Sequence, residues 1–506
     1  MANARTPTGP RRLLRSGARL YRRRPGRRPL TAAQPLRALA QQPRRGNGRQ
    51  CLCRERRPTG PARRAGRAGF VNSAPNILYI LADDLGWGDL SCHGSSIRTP
   101  TIDRLVQEGV ELGQHYVCPM CTPTRASLLT GRHPGRFGAH ATTPSNPPVL
   151  PDGYPTLATV LRDAGYDTGL FGKWHLGSSP RFGPNGYGFN TAYGSLAGGV
   201  DPYNHFYKRG DYSVTWHKNG GLIEEHGHVT DLIAREAVAW IESRNRPFFC
   251  YVPFTAVHVP IKPTQDWLNA YQDDDFDKDP LKDASFRKYA AYTSHMDWAV
   301  GQLLEALEHT CQRENTLVIF SSDNGAINDC PLHGTDQYPG WQEAYPRLGC
   351  NGPLRGVKAQ LYEGGIRTPT FVNWRGNLQP GRMDHPVQIV DWMPTLTALC
   401  GAAPTRDPQW DGADIWPLIK GANPAAEKRM YWNFRGGRNL GLRLGDWKLT
   451  DCEVGNGRRL ELFNIADDPF EADEVSADHP QKVDELTELI VAERRLDDTS
   501  KRPDVH

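Results

Sequence analysis

The amino-acid sequence predicts an α/β fold: a large, mostly parallel sheet between helices, followed by a small antiparallel sheet with one helix. Three observations carry this. Short apolar runs alternate with helical stripes through most of the chain, the pattern of strand–helix–strand units. Two of those runs, Asn76-Ile-Leu-Tyr-Ile-Leu-Ala82 and Thr316-Leu-Val-Ile-Phe320, are apolar almost throughout, as strands covered on both faces are. From about Asn423 the helical stripes give way to closely spaced short strands.

Taken in order, the first strand, 76–82, ends in Asp83-Asp84. Helices are predicted over 101–109, over 123–129 with Pro123 in the first turn, and over 156–164, which leads to a strand at 167–171. Residues 228–243 place Val229, Leu232, Ile233, Ala237, Trp240 and Ile241 on one helical face. A strand follows at 247–254 and a long helix at 285–308, with Tyr289, Tyr292, Met296, Val300, Leu303 and Leu307 turned inward. The strand at 316–320 runs into Ser321-Ser322-Asp323-Asn324-Gly325, and another lies at 370–374. The last segment predicts strands at 431–434, 440–444, 447–450 and 460–463, then a helix at 481–494.

A chain of 506 residues, 38% hydrophobic with 13 Trp, is that of a globular enzyme rather than a disordered protein. No run of about 18 apolar residues occurs, so no membrane span is expected. The net charge of +5 conceals two compositions: residues 1–70 hold 20 Arg, one Glu and no Lys or Asp, which is +19, and the other 436 residues carry −14. The expected division is an Arg-rich extension at 1–73, a catalytic domain at 74–422 and a C-terminal subdomain at 423–506. Arg with Pro, Gly and Ala but no Lys reads as a disordered or spurious extension shaped by codon usage. The alternatives are a nucleic-acid-binding arm or a transit peptide; no nucleic-acid partner is expected. No apolar signal core precedes the domain, so localisation is open. No Asn-x-Ser/Thr acceptor exists, which argues against a glycosylated secreted protein. The 11 Cys are scattered, and Cys118-Pro-Met-Cys121 has redox-motif spacing.

Asp83-Asp84 and Asp323-Asn324 each follow a buried strand. Three carboxylates and an amide make a hard oxygen site suited to calcium or magnesium. Either pair alone would be read as loop capping. Together, at the C-terminal ends of parallel strands, they stand where such sheets place their sites.

The stretch Cys121-Thr-Pro-Thr-Arg125-Ala-Ser-Leu-Leu-Thr130-Gly131-Arg132 resembles the sulfatase signature, in which Pro follows the Cys by two residues, Arg by four, and Thr-Gly-Arg lies downstream. Further stretches are similar to the same family: Leu81-Ala-Asp-Asp-Leu-Gly-Trp-Gly-Asp89, Gly172-Lys173-Trp174-His175-Leu176-Gly177, Val257-His258-Val259-Pro260, Pro353-Leu-Arg-Gly-Val-Lys358 with Tyr362-Glu-Gly-Gly-Ile-Arg367, Asp391-Trp-Met-Pro-Thr395 and Gly445-Asp-Trp-Lys448. The resemblance runs from about Pro75 to the C-terminus. Its layout is closest to the arylsulfatases that include N-acetylgalactosamine-4-sulfatase, and to related bacterial sulfatases.

The resemblance implies an alkaline-phosphatase-like fold and hydrolysis of sulfate esters of carbohydrates or aryl alcohols. It implies that a separate formylglycine-generating enzyme oxidises Cys121 to formylglycine. Hydrated, that residue offers one hydroxyl to attack sulfur and a second whose deprotonation expels sulfate; a Ser would be left as a stable sulfate ester. A divalent ion, calcium with magnesium as the alternative, falls to Asp83, Asp84, Asp323, Asn324 and the modified Cys121. Arg125 and Lys173 flank the nucleophile, Lys358 grips sulfate, His258 protonates the leaving group and His175 assists sulfate release. The family is usually exported. Loops 178–225 and 326–350, with Trp216 and Trp341, are the expected specificity loops, although aromatic rings there also serve plain packing. The competing readings are a phosphonate monoester hydrolase or phosphodiesterase of the same superfamily, a binder of sulfated glycans with unmodified Cys121, and a nucleic-acid binder through the Arg tail.

Overall fold

The computed structural model describes residues 74–140, 148–206, 208–210, 212–331, 343–405 and 407–497; the expectations for 1–73 and for Trp341 lie outside them. Sixteen strands occur among these residues: β1 (Asn76–Ala82), β2 (Val110–Leu112), β3 (His115–Tyr116), β4 (Asp167–Lys173), β5 (Thr191–Ser195), β6 (Trp216–Lys218), β7 (Gly221–Leu222), β8 (Phe248–Pro253), β9 (Thr316–Ser322), β10 (Phe371–Asn373), β11 (Gly381–Met383), β12 (Val387–Gln388), β13 (Arg429–Phe434), β14 (Asn439–Leu444), β15 (Trp447–Val454) and β16 (Gly457–Asn464). Ten form one sheet in the order β11-β2-β10-β9-β1-β8-β4-β5-β6-β7. Its centre, β9-β1-β8-β4-β5, is parallel throughout. Both wings turn antiparallel, at β9-β10-β2 on one side and β5-β6-β7 on the other, so the sheet is mixed around a parallel core.

The apolar runs behave as their composition dictates. Every residue of β1 and β9 is buried. Ile77, Tyr79, Leu81, Leu317 and Ile319 share one core with Ala126, Leu128 and Leu129 from helix Cys121–Thr130 and Trp392, Met393 and Leu396 from helix Trp392–Leu399. The alternate residues Leu78, Ile80, Val252 and Phe320 are buried too, which a sheet covered on both faces requires. The long helix extends further than its stripe predicts, Pro280–His309, because Asp279 caps it by accepting from the Leu281 and Lys282 N–H groups. No helix among the described residues is long and apolar enough to cross a membrane.

Strands β13 to β16 form an antiparallel meander. Their period-2 alternation has two targets. Tyr431, Leu440, Leu442, Leu449 and Leu462 face Leu486 and Ile490 of helix Pro480–Arg494, while Met430 and Trp432 face Tyr116, Leu361 and Ile366. The Trp432 indole donates to the Val117 carbonyl at 2.8 Å. Arg136, six residues past the helix that starts at Cys121, is bonded to Asp411, Glu493 and Asp497. Glu493 and Asp497, at and just after the end of helix Pro480–Arg494, are therefore tied to the region of the signature.

Candidate active site

Strand register brings the site together. Leu81 pairs with Ser321 and Ala82 with Ser322, so the residues that follow, Asp83-Asp84 and Asp323-Asn324, emerge side by side. Lys173 closes β4, beside Ser195 of β5. β8 leads into the 254–260 segment and His258. The C-terminal ends of four adjacent strands thus deliver Asp83, Asp84, Lys173, His258, Asp323 and Asn324 to one place.

Helix Cys121–Thr130 is buried over all ten residues and ends at Gly131, whose φ of +67° supplies the left-handed cap that returns its N–H to Ser127. Pro123 is its third residue, where no N–H is needed, so the helix starts at Cys121 rather than at Pro123. One helical turn aligns Cys121 with Arg125. The Arg125 guanidinium donates to Asp323 Oδ2 from Nε at 3.1 Å and from Nη2 at 2.7 Å, and to the Lys173 carbonyl at 2.7 Å.

Lys173 Nζ donates to Asp83 at 2.6 Å. Lys358 Nζ lies 2.7 Å from the Asp84 carboxylate, which also accepts from Asn324 at 2.7 Å. The structure therefore gathers all ten predicted residues, in three buried carboxylates, three cations, an amide, two imidazoles and Cys121. The neighbouring carboxylates are driven apart. Burial, only partly offset by Lys173, pushes Asp83 up to about 8. Burial would raise Asp84 as well, but Lys358, His258 and Lys173 outweigh it and hold it well below the carboxylate range.

The redox reading of Cys118 and Cys121 finds no support, since both thiols are buried and unbridged. Burial pushes the Cys118 thiol up to about 12, and burial raises Cys121 despite Lys173 and Lys358. A redox pair needs a thiol shifted the other way.

His258 hydrogen-bonds through Nδ1 to the Val259 carbonyl at 2.6 Å, which places the proton on Nδ1, and its Nε2 lies 3.7 Å from Asp84. Burial and Lys358 lower it to about 3. His175 is buried with both ring nitrogens unpaired. Burial, Lys173 and Arg125 keep it neutral. Asp84 and His175 take left-handed φ of +63° and +60°, and Ala359 beside Lys358 takes +69°. Such conformations cost on the order of 1–3 kcal/mol each and cluster where function demands them.

The residues fit a hard divalent cation. Asp83 Oδ1 and Asn324 Oδ1 are buried oxygens without a hydrogen-bond partner. Donor atoms of Asp83, Cys121 and Asp323 lie within 4.8 Å of one another. Asp83, Asp84 and His258 form a second such group in the same site, and among the described residues the two groups away from it are already engaged. Arg136 bridges Asp411 and Glu493 beside His133. In the cluster of His228, Asp231 and His295, both His228 nitrogens are bonded, to the Thr230 N–H and the Lys262 carbonyl.

Sequence reasoning missed several supports. A Cβ on Gly198 would sit 2.0 Å from His175 Nε2, so only glycine lets that loop close on the ring; the Gly198-Gly199 pair was the available signal. The Asn351 amide accepts from the Ala326 N–H and donates to the Ala326 and Gly356 carbonyls, bracing the turn below Lys358. Trp216 is only 1% exposed, packed between His205 and Tyr193, so it serves packing rather than an open platform.

Because Arg125 neutralises buried carboxylates, Arg125→Met is expected to cost about 3–5 kcal/mol of stability, the usual result of stranding a buried charge. Denaturant unfolding measures this as a lower midpoint at constant slope; an unchanged midpoint would show that Arg125 is not needed to offset the buried carboxylates.

A family model described as Sulfatase matches residues 75–402. The chain is 30% identical over 478 residues to arylsulfatase J of Mus musculus, covering 83% of this chain and 76% of that protein. It is 33% identical over 400 residues to N-acetylgalactosamine-6-sulfatase of Canis lupus familiaris, covering 74% and 71%. Among solved structures, Ps i-CgsB in complex with k-i-k-neocarrahexaose superposes with a TM-score of 0.74 at 30% identity, covering 85% of this chain and 94% of that one.

Proposed function

Since the chain belongs to the sulfatase family and hydrolyses sulfate esters, we propose that Cys121, converted to formylglycine by a separate enzyme, is its nucleophile, and that the substrate is a sulfated carbohydrate. A divalent cation is held by Asp83, Asp84, Asp323, Asn324 and residue 121. The observation that carries this reading is the convergence of four strand ends and one helix start on the unpaired oxygens of Asp83 and Asn324. Calcium suits an all-protein cage of carboxylates better than magnesium, which keeps several waters.

With Asp83 ionised, as ligation of a cation would require, the six charged groups around residue 121, Asp83, Asp84, Asp323, Arg125, Lys173 and Lys358, balance to zero. A divalent ion therefore leaves a positive surplus that matches an anionic sulfate ester. When bound, the cation neutralises oxygen charge and lowers the pKa of a hydroxyl beside it. The hydrate of formylglycine supplies that hydroxyl and a second one. Arg125, fixed by Asp323 and the Lys173 carbonyl, holds residue 121 in place. Lys173 and Lys358 face the sulfate oxygens, preorganised by their carboxylate partners. His258 directs Nε2 to the leaving oxygen, because Nδ1 is committed to Val259. His175, neutral and unpaired, takes a proton from residue 121 as sulfate departs. The name N-acetylgalactosamine-6-sulfatase and the neocarrahexaose complex support a carbohydrate substrate.

The test is an assay of protein co-produced with a formylglycine-generating enzyme, on nitrophenyl sulfate, a nitrophenyl phosphodiester and a panel of sulfated mono- and oligosaccharides. Sulfate esters should be preferred, the Cys121 peptide should carry an aldehyde by mass, and a chelator should abolish activity that calcium restores. Full activity in metal-free protein would sink the metal assignment, and a preference for the phosphodiester would sink the substrate class.

A further inference from the structure

Strand β15 carries a lysine with no contact to solvent. Lys448 Nζ donates to Glu363 Oε1 and to Glu471 Oε1, both at 2.8 Å, and all three side chains are fully buried. The remaining oxygens are also used. Glu363 Oε2 accepts from the Tyr116 hydroxyl at 2.6 Å and faces Arg367 at 3.5 Å. Glu471 Oε2 accepts from the Glu363 backbone N–H at 2.7 Å. Register sets Arg443 beside Lys448, and its guanidinium reaches the same Tyr116 hydroxyl. Burial would raise the Glu363 carboxyl, but Lys448, Arg367 and Arg443 hold it below its ordinary range, whereas burial prevails at Glu471 and raises it.

Buried ion networks are a poor route to stability, since apolar side chains of similar volume commonly serve as well or better. What such a network adds is position. Glu363 anchors a turn with no slack. The Gly364 N–H donates to the Arg355 carbonyl at 2.6 Å, and the Gly325 N–H, next to Asn324, donates to the Gly365 carbonyl at 3.1 Å. A Cβ on Gly364 would lie 2.5 Å from the Gly356 carbonyl oxygen, and one on Gly365 2.2 Å from that of Gln360. The same turn carries Lys358, and the Ala359 N–H donates to the Pro119 carbonyl just before Cys121.

We propose that Lys448 is a positioning residue of the active site: by pinning Glu363 it fixes the 355–365 turn from which Lys358 reaches the sulfate group. The inference rests on the proposed role of Lys358 as the sulfate-gripping cation.

The test is a double-mutant cycle on the metal-loaded full chain, reading the calorimetric affinity for inorganic sulfate, KM for nitrophenyl sulfate and thermal stability. Lys448→Met should weaken sulfate binding and raise KM about tenfold, within the coupling range of residues in one network. In a Lys358→Ala background the same change should have almost no further effect on sulfate affinity. Leu486→Ala, in the core on the other face of the sheet, should lower stability while leaving sulfate affinity unchanged. If Lys448→Met does not fold, the combined Lys448→Met, Glu471→Gln variant removes one charge of each sign, leaves Glu363 paired with Arg367, and is read the same way. Unchanged sulfate affinity with reduced stability alone, or an equal loss in both backgrounds, overturns the proposal. A wild-type chain that binds sulfate but does not turn over nitrophenyl sulfate would count against the nucleophile assignment, while the binding cycle still decides the role of Lys448.

Discussion

Cys121→Ser is expected to convert the enzyme into a single-turnover reagent. A serine hydroxyl at the start of helix Cys121–Thr130 would occupy the position of one hydroxyl of the hydrate, beside Lys173, Lys358 and Arg125. It could take up sulfate from an activated ester once. No second hydroxyl would then be available to expel it, so a sulfated protein should accumulate in stoichiometric amount. Steady-state kcat should fall on the order of 10⁴-fold or more, the scale on which removal of a nucleophile acts. Rapid quench with nitrophenyl sulfate should show a burst of nitrophenolate near one per enzyme, and intact mass should show one added sulfate. Cys121→Ala should show neither burst nor adduct. Sustained turnover by Cys121→Ser near the wild-type rate would remove formylglycine from the mechanism.

His258→Ala should separate substrates by their leaving groups. An alkoxide leaves poorly, so protonation during S–O cleavage is worth about 10²- to 10⁴-fold, and sugar sulfates should lose that much. Nitrophenolate needs far less help and should lose little. In the free protein His258 is kept neutral by burial and Lys358, and the negative charge of a bound ester acts in the opposite sense, favouring the protonated ring when it is needed. His175→Ala should behave differently: with either substrate, release slows and a sulfated enzyme builds up. Equal losses on alkyl and aryl sulfates for His258→Ala would mean that the ring only packs beside the site.

The legible parts of the molecule were those written in contiguous residues. Buried strands that stop abruptly at Asp83 and Asp323 announced both their own existence and the site at their ends. The residues around Cys121 and Arg125 needed one helical turn to meet, and spacing reports that directly. Strands of two to five residues, such as β2, β5, β6 and β7, are too short for periodicity to reveal, so of the antiparallel wings only β10, at the predicted 370–374 strand, was read. Charge burial was also invisible. Lys448 and Glu363 are 85 residues apart, and a lysine in a short strand looks like a solvated one until its partners are placed. The same holds for Gly198, whose role depends on where the His175 ring comes to rest.

The tie between Arg136 and Asp497 has a consequence for synthesis. Arg136 and Asp497 are 361 residues apart, and Asp323, which braces Arg125, lies 198 residues beyond it. At about 5–20 residues per second, a ribosome needs roughly 20–70 s to bridge the longer gap. Until then the nascent chain lacks the groups that enclose its Cys-containing segment, which in the finished fold leaves Cys121 only 2% exposed. If Cys121 is converted by a separate enzyme, as proposed above, that enzyme works against a clock set by translation. Pausing late in the message would raise the fraction of active product, and rapid overproduction would yield folded chains with an unconverted thiol sealed inside.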